Sequence, residues 1–423
     1  MFRRLAAPLF LDLSPLRESR SFRLLWIGQL ISLSGTQLRF VAVPYQIYLL
    51  TGSSFDVGLI GLFQAIPLIA FSLFGGVIAD AFDRRRLLLV TQVTLAVTSA
   101  ALALGTQAGI ASPAFIYGIV AIASAFSAFD NPARASLMPT LVERRSLAAA
   151  MTLQQVLFQT ASIAGPAFAG VVLVAFGVAG AYWIDAVSFL AAIVAVALLR
   201  APARVPAARR QNLASSLGEG LTYFRSNRIL LSTMSLDFLA TFFGSPRALF
   251  PYYADRVFRV GPEGLGLLFA APGVGSLIAA VSAGWIPRVR RQGLAVLLAV
   301  TAWGLAIAAF GAISDGLFPL ALLFVALAQG ADTVSTIFRG TILQMVVPDD
   351  LRGRLVAINS IFVIGGPMLG QVESGAVAAI VSPEFAVVSG GLACVGAVGL
   401  IALAAPELAA YTPEQADVGT SPA

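Results

Sequence analysis

Residues 201–228, APARVPAARRQNLASSLGEGLTYFRSNR, form the longest charged, proline-containing stretch in a chain that is otherwise strongly apolar. On either side of it the sequence divides into apolar runs of about 20 residues, the length of helix that crosses roughly 30 Å of hydrocarbon. Six runs precede it, at about 23–50, 56–79, 87–106, 113–130, 147–175 and 180–200. Six follow, at about 229–254, 263–286, 293–313, 316–338, 355–381 and 385–405. The runs are continuously apolar, without the alternation of a barrel strand, so they read as helices. The expected fold is all-α and integral to a membrane, with twelve transmembrane helices in two pseudo-symmetric six-helix halves, 23–200 and 229–405. Residues 201–228 are the cytoplasmic linker, 1–22 a cytoplasmic N-terminal segment, and 406–423 a tail whose mixed polar composition suits disorder.

Composition supports this and removes much chemistry. Of 423 residues, 58% are hydrophobic and 11% charged, whereas soluble domains carry roughly 45–50% apolar and about 25% charged residues. There is no His, no Lys and a single cysteine, Cys394. An internal disulfide and a His/Cys metal site are therefore excluded, as are a Walker A loop and a lysine Schiff base. No metal and no cofactor are expected. All 27 basic residues are Arg, and 23 of them, Arg339 included, fall in segments that share one side of the membrane. Basic loops stay cytoplasmic, so both termini are expected there. The net charge of +6 is then a topology signal spread over short loops, with no nucleic-acid partner implied. The first 21 residues, interrupted by Arg3, Arg4, Asp12, Arg17, Glu18 and Arg20, lack the apolar core of a signal peptide.

A faint internal repeat crosses the linker. A shift of 205 residues aligns Arg134 with Arg339, Gln154 with Asn359, Gly165 with Gly370 and Gly170 with Gly375. A shift of 207–208 aligns Pro44 with Pro251, Arg39 with Arg247 and Gly76 with Gly284. Two parallel halves with a binding site between them is a transporter plan.

Between the second and third runs stands GGVIADAFDRRRLLL, 75–89. It resembles the loop motif of the major facilitator superfamily of secondary transporters: Gly76, Asp80, Arg84 and Arg85 match, while Ala81 and Asp83 depart from it. The second-half copy, GWIPRVRRQ from 284, keeps the Gly and the arginines and loses the Asp. GPAFAG, 165–170, is similar to the G-P-x-x-G-G motif of antiporter-type exporters, with Ala169 in place of one Gly. VAVPYQIYLLTGSSFDVGL (41–59), RALFPYYADRVF (247–258) and LRGRLVAINSIF (351–362) look like the drug-exporter branch that includes a bacterial siderophore exporter. The likeness runs over nearly the whole chain. It implies the major facilitator fold, a bacterial cytoplasmic (inner) membrane, a monomer, and export of a small organic molecule by alternating access.

Several residues acquire candidate roles. Asp80, with Gly76, Arg84, Arg85 and Arg134, forms a candidate conformational latch, the resemblance being its main support; the alternative is that Arg84 to Arg86 only anchor topology. Gly165, Pro166 and Gly170 would bend a helix and let it cross closely. An ionisable side chain within a span costs at least about 2.5–3.5 kcal/mol. That marks Arg39, Asp185, Asp237, Arg247, Asp332 and Glu373. Arg39 and Arg247 could clamp an anionic substrate from two sides, or Arg247 could pair with Glu373. Asp185 reads as a buried structural hydrogen bond. With no His, a proton relay must run through carboxylates, and Glu373, Asp237 and Asp332 are the candidates. Gln37, Gln155, Gln329 and Asn359 offer neutral substrate contacts. Tyr45, Tyr48, Tyr252 and Tyr253 belong to an interfacial belt or to substrate stacking. The expected activity is secondary active export, coupled to protons, of a siderophore or drug. Competing readings are a lipid or lysolipid flippase on the same fold, a channel, and an intramembrane enzyme using carboxylates alone.

Overall fold

Within lipid, backbone N–H and C=O groups find no water, so an apolar run must satisfy them internally, as helix. The computed structural model describes residues 12–81, 83–199, 213–348 and 351–412, and they form helices joined by short turns, with no strand among the described residues. The long helices are α1 (Arg20–Thr51), α2 (Ser54–Ala81), α3 (Arg84–Gln107), α4 (Pro113–Leu141), α5 (Leu147–Ala197) and α6 (Leu213–Ser226). They continue with α7 (Arg228–Phe243), α8 (Gly261–Val281), α9 (Gln292–Gly311), α10 (Phe318–Val346), α11 (Arg352–Ile380) and α12 (Pro383–Ala404). Capping residues set several starts. Asp83 accepts from Arg86 N at 2.9 Å and Asn227 from Leu230 N at 3.1 Å, each filling an orphan donor of a first turn.

Ten segments among the described residues are long and apolar enough to cross a membrane. Helix α1 is not one of them, since Ser32, Ser34, Thr36, Gln37 and Arg39 dilute its middle. Helix α5 counts once although it holds two of the apolar runs. It breaks at Gly177, whose φ of 68° is open to glycine at no steric cost. Apolar side chains face outward along these helices, and Val281, Ile380 and Leu403 are 80%, 82% and 83% exposed. In water such a surface would aggregate; in lipid it is the solvated face.

The repeat is visible in the helix boundaries. Helices α4 and α10 start at Pro113 and Phe318 and end at Leu141 and Val346, both 205 residues apart. Helices α5 and α11 start at Leu147 and Arg352, at the same spacing. Gly177, where α5 breaks, falls on Ser382, which caps α12 by accepting from Phe385 N at 3.1 Å. The packing repeats as well: α3 lies against α4 and α5, and α9 lies against α10 and α12.

The chain forms two compact units, Met1–Ala42 with Pro67–Ala208, and Val43–Ile66 with Arg209–Ala423. The stretch 43–66, assigned by sequence to the half 23–200, thus packs with the second unit. Gly58 and Gly61 let α2 lie on the α11 backbone at Gln371 and Met368, and Gly375 lies as closely against Ser54 and Phe55. Within the linker, α6 docks Phe224 into a cluster with Leu230, Met234, Val347 and Leu355, and Glu219 pairs with Arg354. Residues 200–212 and 413–423, parts of the linker and tail, lie outside the described residues.

Candidate functional site

In the first unit the intramembrane charges are already matched. Asp185, in the second arm of α5, is fully buried and takes Ser99 Oγ at 2.6 Å and Arg39 Nε at 3.5 Å. Arg39 Nη1 also donates to Ser99 at 3.0 Å, and its guanidinium lies 5.9 Å from the Phe189 ring centre. Asp185 is thus hydrogen-bonded as its sequence position suggests, and is also the counter-ion of Arg39. Gly165 brings the antiporter-type motif against Gln37, because a Cβ there would stand 2.5 Å from Gln37 Cβ. Pro166 and Gly170 are buried in the same helix.

The loop-motif residues sort differently. Gly76 and Asp80 lie outside the described side chains. Arg84 Nη1 donates to Ser136 O at 3.0 Å, tying α3 to α4, and Arg85 Nε donates to Val196 O at 3.0 Å, tying α3 to α5. Arg134 is held by Asp130 through Nε at 3.2 Å and Nη2 at 2.7 Å. Asp130 also accepts from Thr91 Oγ1 at 3.0 Å and Gln92 Nε2 at 2.7 Å. This three-donor carboxylate was not singled out from sequence, where Asp130 marked only the end of a run.

The second unit gathers most of the other candidates. Asp237 is buried on α7 and pairs with Arg339 of α10. Arg339 Nη2 also stands 3.5 Å from Asp332 Oδ1, and Asp332 Oδ2 accepts from Gln329 Nε2 at 2.8 Å. Arg339, counted from sequence with the loop arginines, is therefore a helix residue only 12% exposed, drawn inward by two carboxylates. That is a correction: its charge neutralises acids within α7 and α10 rather than marking a loop.

Helix α7 ends at Gly244, and the chain resumes as a 3-10 turn, Pro246–Leu249, that carries Arg247. Pro246 has no N–H to continue the helix, and the break is packed tightly. Gly366 and Gly370 of α11 meet Thr241 and the carbonyls of Thr241 and Phe242, and Gly390 of α12 meets Phe243 O. The segment Gly366-Pro367-Met368-Leu369-Gly370 is a G-P-x-x-G pattern that sequence reading passed over; its resemblance to 165–170 was the available signal. Beside the break lies a cavity of about 90 Å³, lined by Arg247, Trp303, Gln329, Asp332, Ser245 and Thr241 among others. Arg247 makes no ion pair within 4 Å among the described residues, either with Asp332 or with Glu373.

The remaining candidates stand apart. Glu373, half-buried on α11, has a buried Oε2 with no hydrogen-bond partner. Asn359 is half-buried on α11 and Gln155 exposed on α5. Tyr252 donates to Glu384 at 2.7 Å, while Tyr253 is buried against Phe310 at 4.7 Å between ring centres. Tyr252 borders a wider groove of about 640 Å³ lined also by Arg256, Arg259, Asp315 and Glu384. Its arginines face acids, Arg256 with Asp255 at 3.1 Å and Arg259 with Asp315 at 4.0 Å. Among the described residues no three His, Cys, Asp or Glu side chains cluster as a metal site would require.

Residues 11–418 match the family described as transmembrane secretion effector. The enterobactin exporter EntS of Escherichia fergusonii is 28% identical over 414 residues, covering 97% of this chain and 98% of the relative. The enterobactin exporter EntS of Shigella boydii serotype 18 matches at the same identity and coverage. Among solved structures, the nucleoside transporter NupG superposes with a TM-score of 0.76 at 13% identity, over 92% of this chain and 100% of that one. A bacterial homologue of the iron transporter ferroportin, inward-facing, gives 0.68 at 15%, over 93% and 99%. At these identities the structures speak for the fold alone.

Proposed function

The chain belongs to the transmembrane secretion effector family of the major facilitator superfamily, and on that premise we propose that it is a proton-coupled exporter of small acidic molecules. It is a multi-pass membrane protein and a secondary transporter of small molecules, not an enzyme. In the proposed reading the chain crosses a bacterial cytoplasmic membrane twelve times, as a monomer with both termini inside. The count follows from splitting α5 at Gly177, as its repeat partner splits at Ser382, and from counting α1. The arginine bias supports the orientation.

One observation carries the proposal: in the second unit Arg247 and Asp332 line a cavity at a break in a helix, and Asp332 is joined through Arg339 to the buried Asp237. Discontinuous helices are where secondary transporters build binding sites, and intramembrane charges there mark ion or substrate paths. Glu373 adds a carboxyl oxygen without a partner, a place that can hold a proton. Protonation at Glu373, Asp332 or Asp237 would bias one access state over the other, which is how a gradient drives export. The relatives' name, enterobactin exporter, supports a catecholate siderophore as cargo.

Inside-out vesicles test this directly. With an acid interior, vesicles carrying the protein should accumulate enterobactin, and a protonophore should abolish the accumulation. Uptake indifferent to the gradient would remove proton coupling; uptake no greater than in empty-vector vesicles would remove the substrate.

A further inference from the structure

Arg39 and Arg247 occupy equivalent places in the repeat, yet only one is neutralised. Arg39 is held by Ser99 and Asp185. At the 205-residue displacement between the bounds of α4 and α10, Ser99 falls on Gly304 and Asp185 on Gly390, and at the 208 that pairs Arg39 with Arg247 they fall on Ile307 and Ala393, so neither offset supplies a hydroxyl or an acid. Those glycines allow close backbone approach: a Cβ on Gly304 would stand 2.7 Å from Gly391 O, and one on Gly390 would strike the α7 carbonyl of Phe243. The second unit has thus exchanged the counter-ion and hydroxyl of its arginine for close helix packing. The nearby acids do not replace them, because Arg339 takes Asp237, and Asp332 is engaged by Arg339 and Gln329.

A second donor in the cavity is also unspent. Trp303 is 8% exposed and makes no hydrogen bond among the described residues, though a buried indole N–H ordinarily finds one. The indole edge that carries Nε1 lies at the helix break, where a Cβ on Gly244 would stand 3.5 Å from Cζ2 and 3.6 Å from Cε2. The other polar donors of the lining are occupied: Thr241 Oγ1 donates to Asp237 O at 2.7 Å, and Ser245 Oγ to Pro367 O at 3.4 Å. Apolar groups such as Phe250, Ile307 and Val325 complete the wall. An apolar pocket with a few convergent donors is the usual form of a small-molecule subsite.

We propose that the cavity beside the α7 break is an oxyanion subsite, taking a carboxylate or phenolate of the ligand between the Arg247 guanidinium and the Trp303 indole N–H, with Asp332 as its internal competitor. At about 90 Å³ it holds the charged head of a ligand, and the remainder projects from it. Asp332 lines the same cavity, so its charge opposes a second anion there; whatever neutralises Asp332 opens the subsite. This deepens the exporter reading by naming the chemical class that the second unit grips, and rests on that reading only for the ligand being cargo.

The test is equilibrium binding to the purified full chain in detergent, with benzoate as probe and benzamide as its uncharged isostere, followed by calorimetry. Benzoate should bind at least about tenfold more tightly than benzamide, since a charge-assisted bidentate pair is lost in the amide. Arg247→Gln should remove that preference, and Trp303→Phe should weaken benzoate several-fold while leaving benzamide unchanged. Asp332→Asn should tighten benzoate. Arg247 holds no ion pair, so its replacement orphans no acid, and a thermal melt confirms folding. Equal affinity for the two probes, or benzoate preference surviving Arg247→Gln, overturns the proposal. No gradient enters the titration, so failed binding with intact vesicle transport sinks the subsite alone, and intact binding without transport sinks the exporter reading alone.

Discussion

Replacing Asp237 and Arg339 singly should each destabilise the protein, and replacing both should cost much less than the two effects added. Asp237 is 2% exposed, with one oxygen on Arg339 and the other without a partner. Removing one member of a buried ion pair costs about 3–5 kcal/mol, because the survivor stays charged and unpaired. The two survivors are not equivalent here. After Asp237→Asn, Arg339 keeps Asp332 at 3.5 Å and Thr336 at 3.0 Å, which places the loss near the low end, about 3 kcal/mol. After Arg339→Gln, Asp237 and Asp332 both lose their ion-pair partner, and the loss moves to about 5 kcal/mol. The double variant retains only Asp332 with its Gln329 bond, so a coupling of about 2–3 kcal/mol is expected, within the range for residues of one network. Reversible unfolding in mixed micelles with increasing dodecyl sulfate, followed by tryptophan fluorescence, measures all four corners of the cycle. Additivity within about 0.5 kcal/mol, or Asp237→Asn proving more damaging than Arg339→Gln, would refute the reasoning.

Three further outcomes follow from the same physics. Asp185→Asn should cost about 3 kcal/mol by orphaning Arg39, and Ser99→Ala about 1–2 kcal/mol for its lost bonds, both read in the unfolding assay; equal effects would deny Asp185 its counter-ion role. Gly275→Leu should leave little folded protein by size-exclusion, since even a Cβ there strikes the Ala326 carbonyl of α10, whereas Gly118→Ala, with nothing within 4 Å, should fold normally. Gln92→Leu should cost about 1–3 kcal/mol by stripping a bond from the Asp130 carboxylate, while Glu219→Gln, on a side chain 63% exposed, should cost under about 1 kcal/mol.

The spans were legible because lipid imposes a length and a composition that single residues rarely hide. Where the reading missed, charges were the reason. The runs 113–130 and 316–338 stop near Asp130 and Arg339, yet α4 and α10 continue to Leu141 and Val346. Arg134 neutralises Asp130 one turn away, and Asp237 with Asp332 neutralises Arg339, so the helices can carry those charges onward. Such pairings are invisible to periodicity, since a partner on another helix leaves no local mark. The candidate site was half legible. Rarity of charge within spans pointed to Arg39, Asp185, Asp237, Arg247 and Asp332, but nothing in their spacing said which would pair. Trp303 carried no signal at all, because an indole in an apolar run reads as filling.

The repeat supplies what spacing could not. The arginine of the fourth helix and its counterpart in α10 share a register, but Arg134 is held by Asp130 within its own helix and Arg339 reaches Asp237 on α7. In the first unit, therefore, the Asp130 network ties α4 to α3 through Thr91 and Gln92. In the second unit the equivalent charge ties α10 to the helix whose broken end presents Arg247. The two halves keep one frame while their polar contacts differ, so Arg39 is locked by its neighbours and Arg247 is left facing a cavity. The Asp237–Arg339 pair fastens α10 to α7, the helix whose broken end carries Arg247. Breaking it should therefore disturb anion binding at the cavity even though neither residue would touch the ligand's charge.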